Sequence, residues 1–147
     1  MSAVTKGDTE VFFTTTGMST VTRWDGNSWQ AADIECEDGG MLSLAGDVVC
    51  LFTAGTVNRR WKGIEWSRRT ALHCYQRTGA GQWEGPRQLT DEFSIHEYRS
   101  LAGFSVPAYA PPNYIPLVWS DYDEGTVKLL KVPVATYQQS SEENGEE

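Results

Sequence analysis

Residues 55–70 hold the most unusual chemistry of the chain. The segment contains five of the twelve Lys and Arg residues, with two tryptophans between them. Arginine offers a planar fork of donors to a carboxylate or phosphate, and tryptophan offers a flat apolar face to a sugar ring. The segment therefore predicts a site for an anionic ligand or a glycan. Its candidate ligand-binding residues are Arg59, Arg60, Trp61, Trp66, Arg68 and Arg69.

A structural interpretation of the same segment stays open. The arginines can pair with acidic neighbours such as Glu65 or with a partner subunit, while the tryptophans pack under the loop. Long loops that carry aromatic residues often pack on their own protein or across an interface. In that case the segment stabilises the fold or an oligomer and binds no ligand.

Carboxylates alternate along a short acidic turn near the end of the chain. Asp121 and Asp123 occupy positions like those of some calcium loops, so both are candidate ligand-binding residues. The remaining ligands of an EF-hand spacing are missing, and a solvated hairpin turn is the alternative. Cys36, Cys50 and Cys74 are an odd number without a short Cys-x-x-Cys spacing, which indicates neither a zinc site nor a disulfide framework. We therefore expect no metal and no cofactor.

The composition restricts the classes of partner. At 147 residues the chain has the length of one domain. The formal charge of −8 argues against nucleic acid and anionic membranes as partners, because phosphate binding needs a basic surface. The first residues lack a long apolar run, so we expect a cytoplasmic protein, or a secreted one if the chain is a fragment of a longer protein. Residues 135–147 are rich in Glu and predict a disordered acidic tail.

The elements that must position these residues are strands. Short runs of β-branched and aromatic residues, bounded by Gly, Asp, Asn or Pro, occur throughout the chain, and no long stretch has the apolar spacing of a helix. The pattern predicts an all-β protein. Strongly apolar strands are predicted at residues 10–15, 47–53 and 114–120, and alternating strands follow them at residues 20–24, 71–76 and 126–132.

The predicted strands group into three similar antiparallel units. We place the units at residues 10–33, 40–90 and 99–134, after an N-terminal segment of residues 1–9. The middle unit has four strands, whereas the first lacks a clear inner strand and the third lacks a fourth. Repeated four-stranded sheets are typical of β-propeller blades, of which roughly four to eight close a ring. Three blades cannot close, so we expect a homo-oligomer, with a six-bladed dimer favoured; the alternative fold is a β-sandwich of the same strands.

Two hairpins that end in tryptophan resemble those of a known family. The strings RWDGNSW, which ends at Trp29, and QRTGAGQW, which ends at Trp83, resemble the Asp-box turns of sialidase-like propellers and the repeats of propeller lectins. In that family the Asp tethers the turn, the Trp packs between neighbouring sheets, and the box lies opposite the binding site. The resemblance implies structural roles for Asp25, Trp29 and Trp83. In this chain a glycine follows Asp25 directly, and Thr78 takes the Asp position in the second string.

The resemblance also implies which residue types would form an active site. Sialidases bind the substrate carboxylate through three arginines, use a Tyr–Glu pair as nucleophile and use an Asp as acid and base, an exception to the usual two-carboxylate hydrolysis. Residues of these types fall on the predicted binding face, and the candidates are Asp91, Glu97, Tyr98 and Arg99, together with Arg69. Their spacing matches no complete family signature, so no catalytic role is assigned to any of them.

The sequence favours a non-catalytic binding or assembly module of the β-propeller type, with glycans as the first ligand class. One alternative is a fragment of a sialidase-like glycoside hydrolase whose active site needs further blades or a second subunit. Another is a structural oligomerisation protein in which residues 55–70 form the interface.

Overall fold

The computed structural model describes residues 2–14, 20–35, 40–61, 64–94 and 103–135, with the backbone alone for residues 56–61 and 64–68. Over these ranges the protein is all-β, as predicted, and contains no helix, so it has no helix that could cross a bilayer. The strands, in chain order, are β1 Ser2–Lys6, β2 Glu10–Thr14, β3 Thr20–Trp24, β4 Ile34–Glu35, β5 Met41–Ala45, β6 Val48–Trp61, β7 Ile64–Arg77, β8 Trp83–Gln88, β9 Phe93–Ser94, β10 Phe104–Ser105, β11 Tyr109–Ala110, β12 Tyr114–Asp121 and β13 Thr126–Pro133.

These strands form three sheets that follow one another along the chain. The first sheet contains β1 to β4 in sequential order, and the central sheet contains β5 to β8 in sequential order, with every neighbouring pair antiparallel. β9 pairs with β7, and β11 lies parallel to β5 at the edge of the central sheet. The third sheet contains β10, β12 and β13. The predicted antiparallel sheets are confirmed, and none of them closes into a barrel within the described ranges.

The central sheet packs against the first sheet through one face of β6. Val49 and Leu51 enter a core that contains Val4, Phe12 and Val21 of the first sheet. Phe12, Val21 and Leu51 are fully buried there. Val49 and Leu51 alternate along β6 with Cys50 and Phe52, because successive side chains of a strand point to opposite faces of the sheet.

The opposite face of β6 packs against the third sheet. Cys50 and Phe52 lie in a second core with Ile115, Leu117 and Val132. A continuous apolar run is typical of a strand that is buried on both faces, and residues 48–52 form such a run. The run therefore places the central sheet between the other two.

A strand at the start of the chain is among those that the sequence pattern does not predict. Ser2–Lys6 forms β1, which pairs with β2 from Ser2↔Thr14 to Lys6↔Glu10. Val4 is the only buried residue of this strand. A five-residue strand with one buried side chain has a weak hydrophobic pattern, so its own sequence does not specify a strand. Pairing with β2 specifies it instead.

Residues 55–70 are also arranged differently from the predicted loop. They continue the central hairpin, in which β6 and β7 are both 14 residues long and remain paired as far as Trp61↔Ile64. β7 stays paired with β9 as far as Arg69, which lies opposite Val57. The hairpin is therefore a two-stranded ribbon only from Asn58↔Arg68 to Trp61↔Ile64, which is four residues of β6 (61 − 57) or about 13 Å. Basic residues interrupt the apolar alternation here, which explains why the pattern does not predict strands.

Candidate functional site

Arg69 is the one predicted residue of the basic segment whose side chain is described. Its guanidinium donates from Nη1 to Ser94 Oγ at 3.2 Å and from Nη2 to the Glu92 carbonyl oxygen at 2.8 Å. Nη2 also lies 3.3 Å from Asp123 Oδ2, and Nε lies 3.7 Å from Glu92 Oε2. The donors of Arg69 are thus engaged by the protein itself and join the central hairpin to β9 and to the turn after β12. This geometry corresponds to the structural interpretation of the residue.

Asp121 and Asp123 organise the turn between β12 and β13. Asp121 Oδ1 accepts hydrogen bonds from the backbone N–H groups of Asp123 and Glu124, at 3.0 and 3.2 Å. Lys128 Nζ lies 3.1 Å from Asp121 Oδ2 and from Glu124 Oε2, and hydrogen bonds to these two carboxylates raise the pKa of the Lys128 ammonium. Hydrogen bonds from Ser94 lower the pKa of Asp123. Within the described part of the chain, no group of three or more His, Cys, Asp or Glu side chains could hold a metal ion.

The remaining predicted site residues fall into three groups. Five lie on the ribbon, where only the backbone is described: Arg59, Arg60, Trp61, Trp66 and Arg68. Asp91 is exposed in the loop between β8 and β9. Glu97, Tyr98 and Arg99 lie outside the described residues. The structure therefore brings Arg69 and Asp123 into contact and gives no arrangement for the catalytic candidates.

Both tryptophan-ended hairpins have a side-chain acceptor at the start of the turn. Asp25 Oδ1 accepts hydrogen bonds from the N–H groups of Asn27 at 2.8 Å and Ser28 at 2.9 Å. These two hydrogen bonds lower the pKa of the Asp25 carboxyl, and the bond from Ser28 has the larger effect. In the second hairpin, Thr78 Oγ1 accepts a hydrogen bond from the Gln82 N–H at 3.1 Å. A threonine hydroxyl therefore takes the place of the Asp carboxylate.

The two tryptophans themselves are placed differently. Trp83 packs against the core between the first and central sheets. Trp29 is 56% exposed and contacts Phe13 and Trp24 with ring centroids 5.3 Å apart in each case. Among the described ranges, a second sheet covers only one side of the first sheet, and Trp29 lies on the other side.

Asp33 joins the first sheet to the central sheet and was not among the predicted residues. Its Oδ2 accepts hydrogen bonds from Arg77 Nε at 3.0 Å and from Trp83 Nε1 at 2.5 Å. Arg23 Nε lies 3.7 Å from Asp33 Oδ1, and Arg23 Nη1 donates to Glu10 at 3.1 Å. The side chains of Asp33 and Arg77 are only 12% and 10% exposed. The carboxylate therefore forms a nearly buried polar tie between two sheets.

A second polar tie joins the central sheet to the third. Arg87 Nη2 donates to the Pro133 carbonyl oxygen at 3.2 Å, and Gln76 Nε2 donates to the Ala135 carbonyl oxygen at 2.7 Å. Arg87 and Asp33 each come four residues after the tryptophan of their hairpin (87 − 83 and 33 − 29). In two successive units, the residue four positions after the tryptophan therefore binds to the next unit, although it is an aspartate in the first unit and an arginine in the second.

A small cavity opens between β8 and the end of the third sheet. Its lining residues are Cys74, Gln76, Glu84, Gly85, Arg87 and Ala135. Cys50 and Cys74 are buried and free, and a hydrogen bond from the Cys50 thiol lowers the pKa of Cys74. The same hydrogen bond, together with burial, raises the pKa of Cys50. Cys74 is therefore the more acidic of the two thiols.

Two apolar sheet faces point away from the stack. We name the first the aromatic face; it is the outer side of the first sheet and consists of Val11, Phe13, Thr22 and Trp24, with Trp29 against them. Phe13 pairs with Thr22 and Val11 with Trp24 across β2 and β3, so these side chains share one face. The inward positions of the same strands, such as Phe12 and Val21, are fully buried.

The second uncovered face is the outer side of the third sheet, which we name the aliphatic face. It consists of Pro116, Val118, Val127 and Leu129. Val118, Val127 and Leu129 are 37%, 72% and 62% exposed, whereas Leu117 and Val132 on the inner side are fully buried. β12 and β13 thus carry apolar residues on both faces, with Lys128 on the inner side and Lys131 on the outer side of β13. Apolar residues on both faces are typical of strands buried on both sides. This two-sided pattern is the sequence signal that could have identified the face.

No protein-family model, no curated protein and no solved structure matches this chain. The likeness to Asp-box turns therefore remains one of short strings and of local hydrogen bonding. The features that bear most directly on function are the two uncovered faces and the polar ties between sheets.

Proposed function

We propose that this protein is a non-catalytic assembly module of the β-propeller type, whose aromatic and aliphatic faces bind the faces of neighbouring sheets. One observation carries the proposal: the described residues pack the sheets face to face twice in the interior and leave two further apolar faces without a covering sheet. Contiguous exposed apolar patches mark interaction sites. Full burial of an aliphatic side chain contributes about 1.5–3 kcal/mol, so residues such as Val127 and Leu129 give these faces a substantial driving force for association.

The described polar residues support an assembly role over a ligand site. Arg69 already binds Ser94, the Glu92 backbone and Asp123, so a ligand carboxylate would have to displace these contacts. Asp25 and Asp121 accept hydrogen bonds from their own turns. These side chains stabilise loops and sheet junctions, which an assembly module needs in order to present rigid faces.

Glycan binding by the ribbon is the second candidate function. The ribbon extends about 13 Å beyond the Arg69↔Ser94 pair of β7 and β9 and carries five of the sequence-predicted basic and aromatic residues, which favours a short binding arm. The combined change Arg59→Ala and Trp61→Ala should abolish binding on a glycan array if the arm holds the site. Unchanged binding would remove the ribbon from the site, and no glycan binding by the unmodified chain would end this candidate.

The assembly proposal is tested by sedimentation velocity of the full chain over a concentration series. We expect a mass above the 16.4 kDa of one chain, rising with concentration. The double change Val127→Glu and Leu129→Glu should return the protein to monomer, because it would bury two carboxylates in an apolar contact. Both residues are exposed in the single chain, so the circular dichroism spectrum should stay unchanged.

The matched control is Ala80→Glu, which adds a carboxylate at an exposed turn away from both faces. This variant should associate like the unmodified protein. A protein that stays monomeric at every concentration would contradict the proposal. So would a double variant that associates as strongly as the control.

A further inference from the structure

We infer that the occupant of both faces is a second copy of this chain, bound head to tail so that two copies close into a ring of six sheets. The inference rests on the proposed function and adds the identity of the partner, the number of copies and which face meets which. It predicts two equivalent contacts, each between the aliphatic face of one copy and the aromatic face of the other.

The direction of stacking inside the chain favours head-to-tail contacts. The central sheet packs one face on the first sheet and the other face on the third, and the ties at Asp33 and Arg87 connect each unit to the next unit in the same order. Continuing that order places the outer side of the third sheet against the outer side of another first sheet. A heterologous contact of this kind forms a ring if the rotation closes and a filament if it does not.

The size of the faces favours closure. β12 and β13 have 8 residues each, so the aliphatic face measures about 26 Å by 10 Å, or roughly 260 Å². One contact would cover about 500 Å² on its two sides, which is below the roughly 1,000 Å² of a specific interface. Two simultaneous contacts reach about 1,000 Å², because a closed pair buries both faces of both copies. Three sheets from each copy give six, within the range of roughly four to eight that closes a propeller.

The composition of the faces also permits contact between identical chains. The nine residues named on the two faces carry no charged side chain, whereas Lys131, which pairs with Pro116, and Glu35, which pairs with Thr20, lie on the same sides of the two sheets. Interface cores are depleted of charged residues, which the nine named residues match, and the long side chain of Lys131 can keep its ammonium in water at the edge of the contact. The two faces also differ, since one presents aromatic rings and the other branched aliphatic groups.

The pairing of faces is tested by cross-linking two variants with a flexible bismaleimide. Thr22→Cys marks the aromatic face and Ser120→Cys marks the exposed outer side of β12. We expect a covalent dimer when the two variants are mixed and none when either is treated alone, because each introduced thiol meets the other face. The unmodified chain, treated in parallel, measures the background from the native cysteines.

The number of copies is tested on the unmodified chain by sedimentation equilibrium. We expect a plateau at twice 16.4 kDa, or about 33 kDa. Disrupting the aliphatic face with Val127→Glu and Leu129→Glu removes both contacts of a homodimer, because each contact uses that face. A mixture of this double variant with a variant altered only on the aromatic face retains one contact. The two variants in the mixture should bind each other at least 100-fold more weakly than two unmodified chains do.

The possible failures separate the inference from the proposed function. A mass that grows beyond two copies, or a cross-link of either cysteine variant with itself, would overturn the closed head-to-tail pair and leave the faces as assembly surfaces. A chain that stays monomeric would overturn both. A two-copy mass with cross-links only in the mixture would support both.

Discussion

Replacing Asp33 by Ala should destabilise the protein more than any other single change of an acidic residue in the described ranges. The carboxylate accepts one hydrogen bond from Arg77 at 3.0 Å and one from Trp83 at 2.5 Å. Hydrogen bonds to charged groups contribute about 1.5–3 kcal/mol each. Their loss also leaves the guanidinium of Arg77, only 10% exposed, without its carboxylate, and breaking such a pair costs about 3–5 kcal/mol.

We therefore expect the free energy of unfolding to fall by about 3–5 kcal/mol, which is a third or more of the stability of an ordinary domain. At about 2–4 °C per kcal/mol for a chain of this length, the melting temperature should fall by about 10 °C. Urea denaturation at one fixed protein concentration measures the change, since association would otherwise shift the midpoint. Asp47→Ala, at an exposed turn between β5 and β6, is the matched control and should change stability by less than about 0.5 kcal/mol.

A double-mutant cycle with Arg77→Met isolates the contribution of the pair. The two single changes should not add, because the second removes the charge that the first leaves unpaired; we expect a coupling of about 2 kcal/mol or more. The stability of Asp33→Asn should lie between that of the unmodified protein and that of Asp33→Ala. The amide oxygen can still accept a hydrogen bond from Trp83 Nε1 but offers Arg77 no charge. A loss below about 1 kcal/mol for Asp33→Ala, or additive single changes, would refute the reasoning that this carboxylate ties two sheets together.

Two further expectations concern backbone geometry and pH. Gly85→Ala should lower the free energy of unfolding by about 2 kcal/mol or more, because φ is +131° and a Cβ would lie 2.8 Å from the Cys74 carbonyl oxygen; Gly79→Ala, where a Cβ meets nothing within 4 Å, is the control and should be near neutral in denaturant titration. The lowered pKa of Asp25 stabilises the folded state above the ordinary pKa of 3.8, and this stabilisation disappears as the pH falls through the lower folded value. Melting curves between pH 3 and 6 should therefore show a steeper loss on acidification for the unmodified chain than for Asp25→Asn, and parallel curves would contradict the role of the Asp25 charge.

One strand in each of the three sheets could be predicted because its pattern is local. β2, β6 and β12 contain apolar runs next to glycine- or asparagine-bearing turns, and such runs specify strands whatever packs on them. Asp25 could also be predicted as a turn residue, since its bonds reach only two and three residues along the chain. These features need no knowledge of the tertiary structure.

The rest of the arrangement depends on contacts between distant residues. Asp33 lies 44 residues from Arg77 and 50 from Trp83, and its surroundings in the sequence resemble an ordinary loop. Ser2–Lys6 becomes a strand because β2 is available to pair with it. The pattern of Val127 and Leu129 indicates burial on a second side, but it does not say which surface provides that burial. Charge and periodicity alone cannot supply such partners.

The serial order of the three sheets also governs how the molecule opens. The two described cores lie between the central sheet and each of the other two sheets, so stability is distributed as in a repeat protein, by unit and by interface. Backbone amides of residues 48–52 in β6, which are covered on both sides, should exchange with solvent only through global unfolding, whereas those of β2 and β13 exchange through partial opening of a terminal layer. The layers that open first are those that carry the uncovered faces. Association would consequently slow amide exchange at the two ends of the stack and leave its middle unchanged.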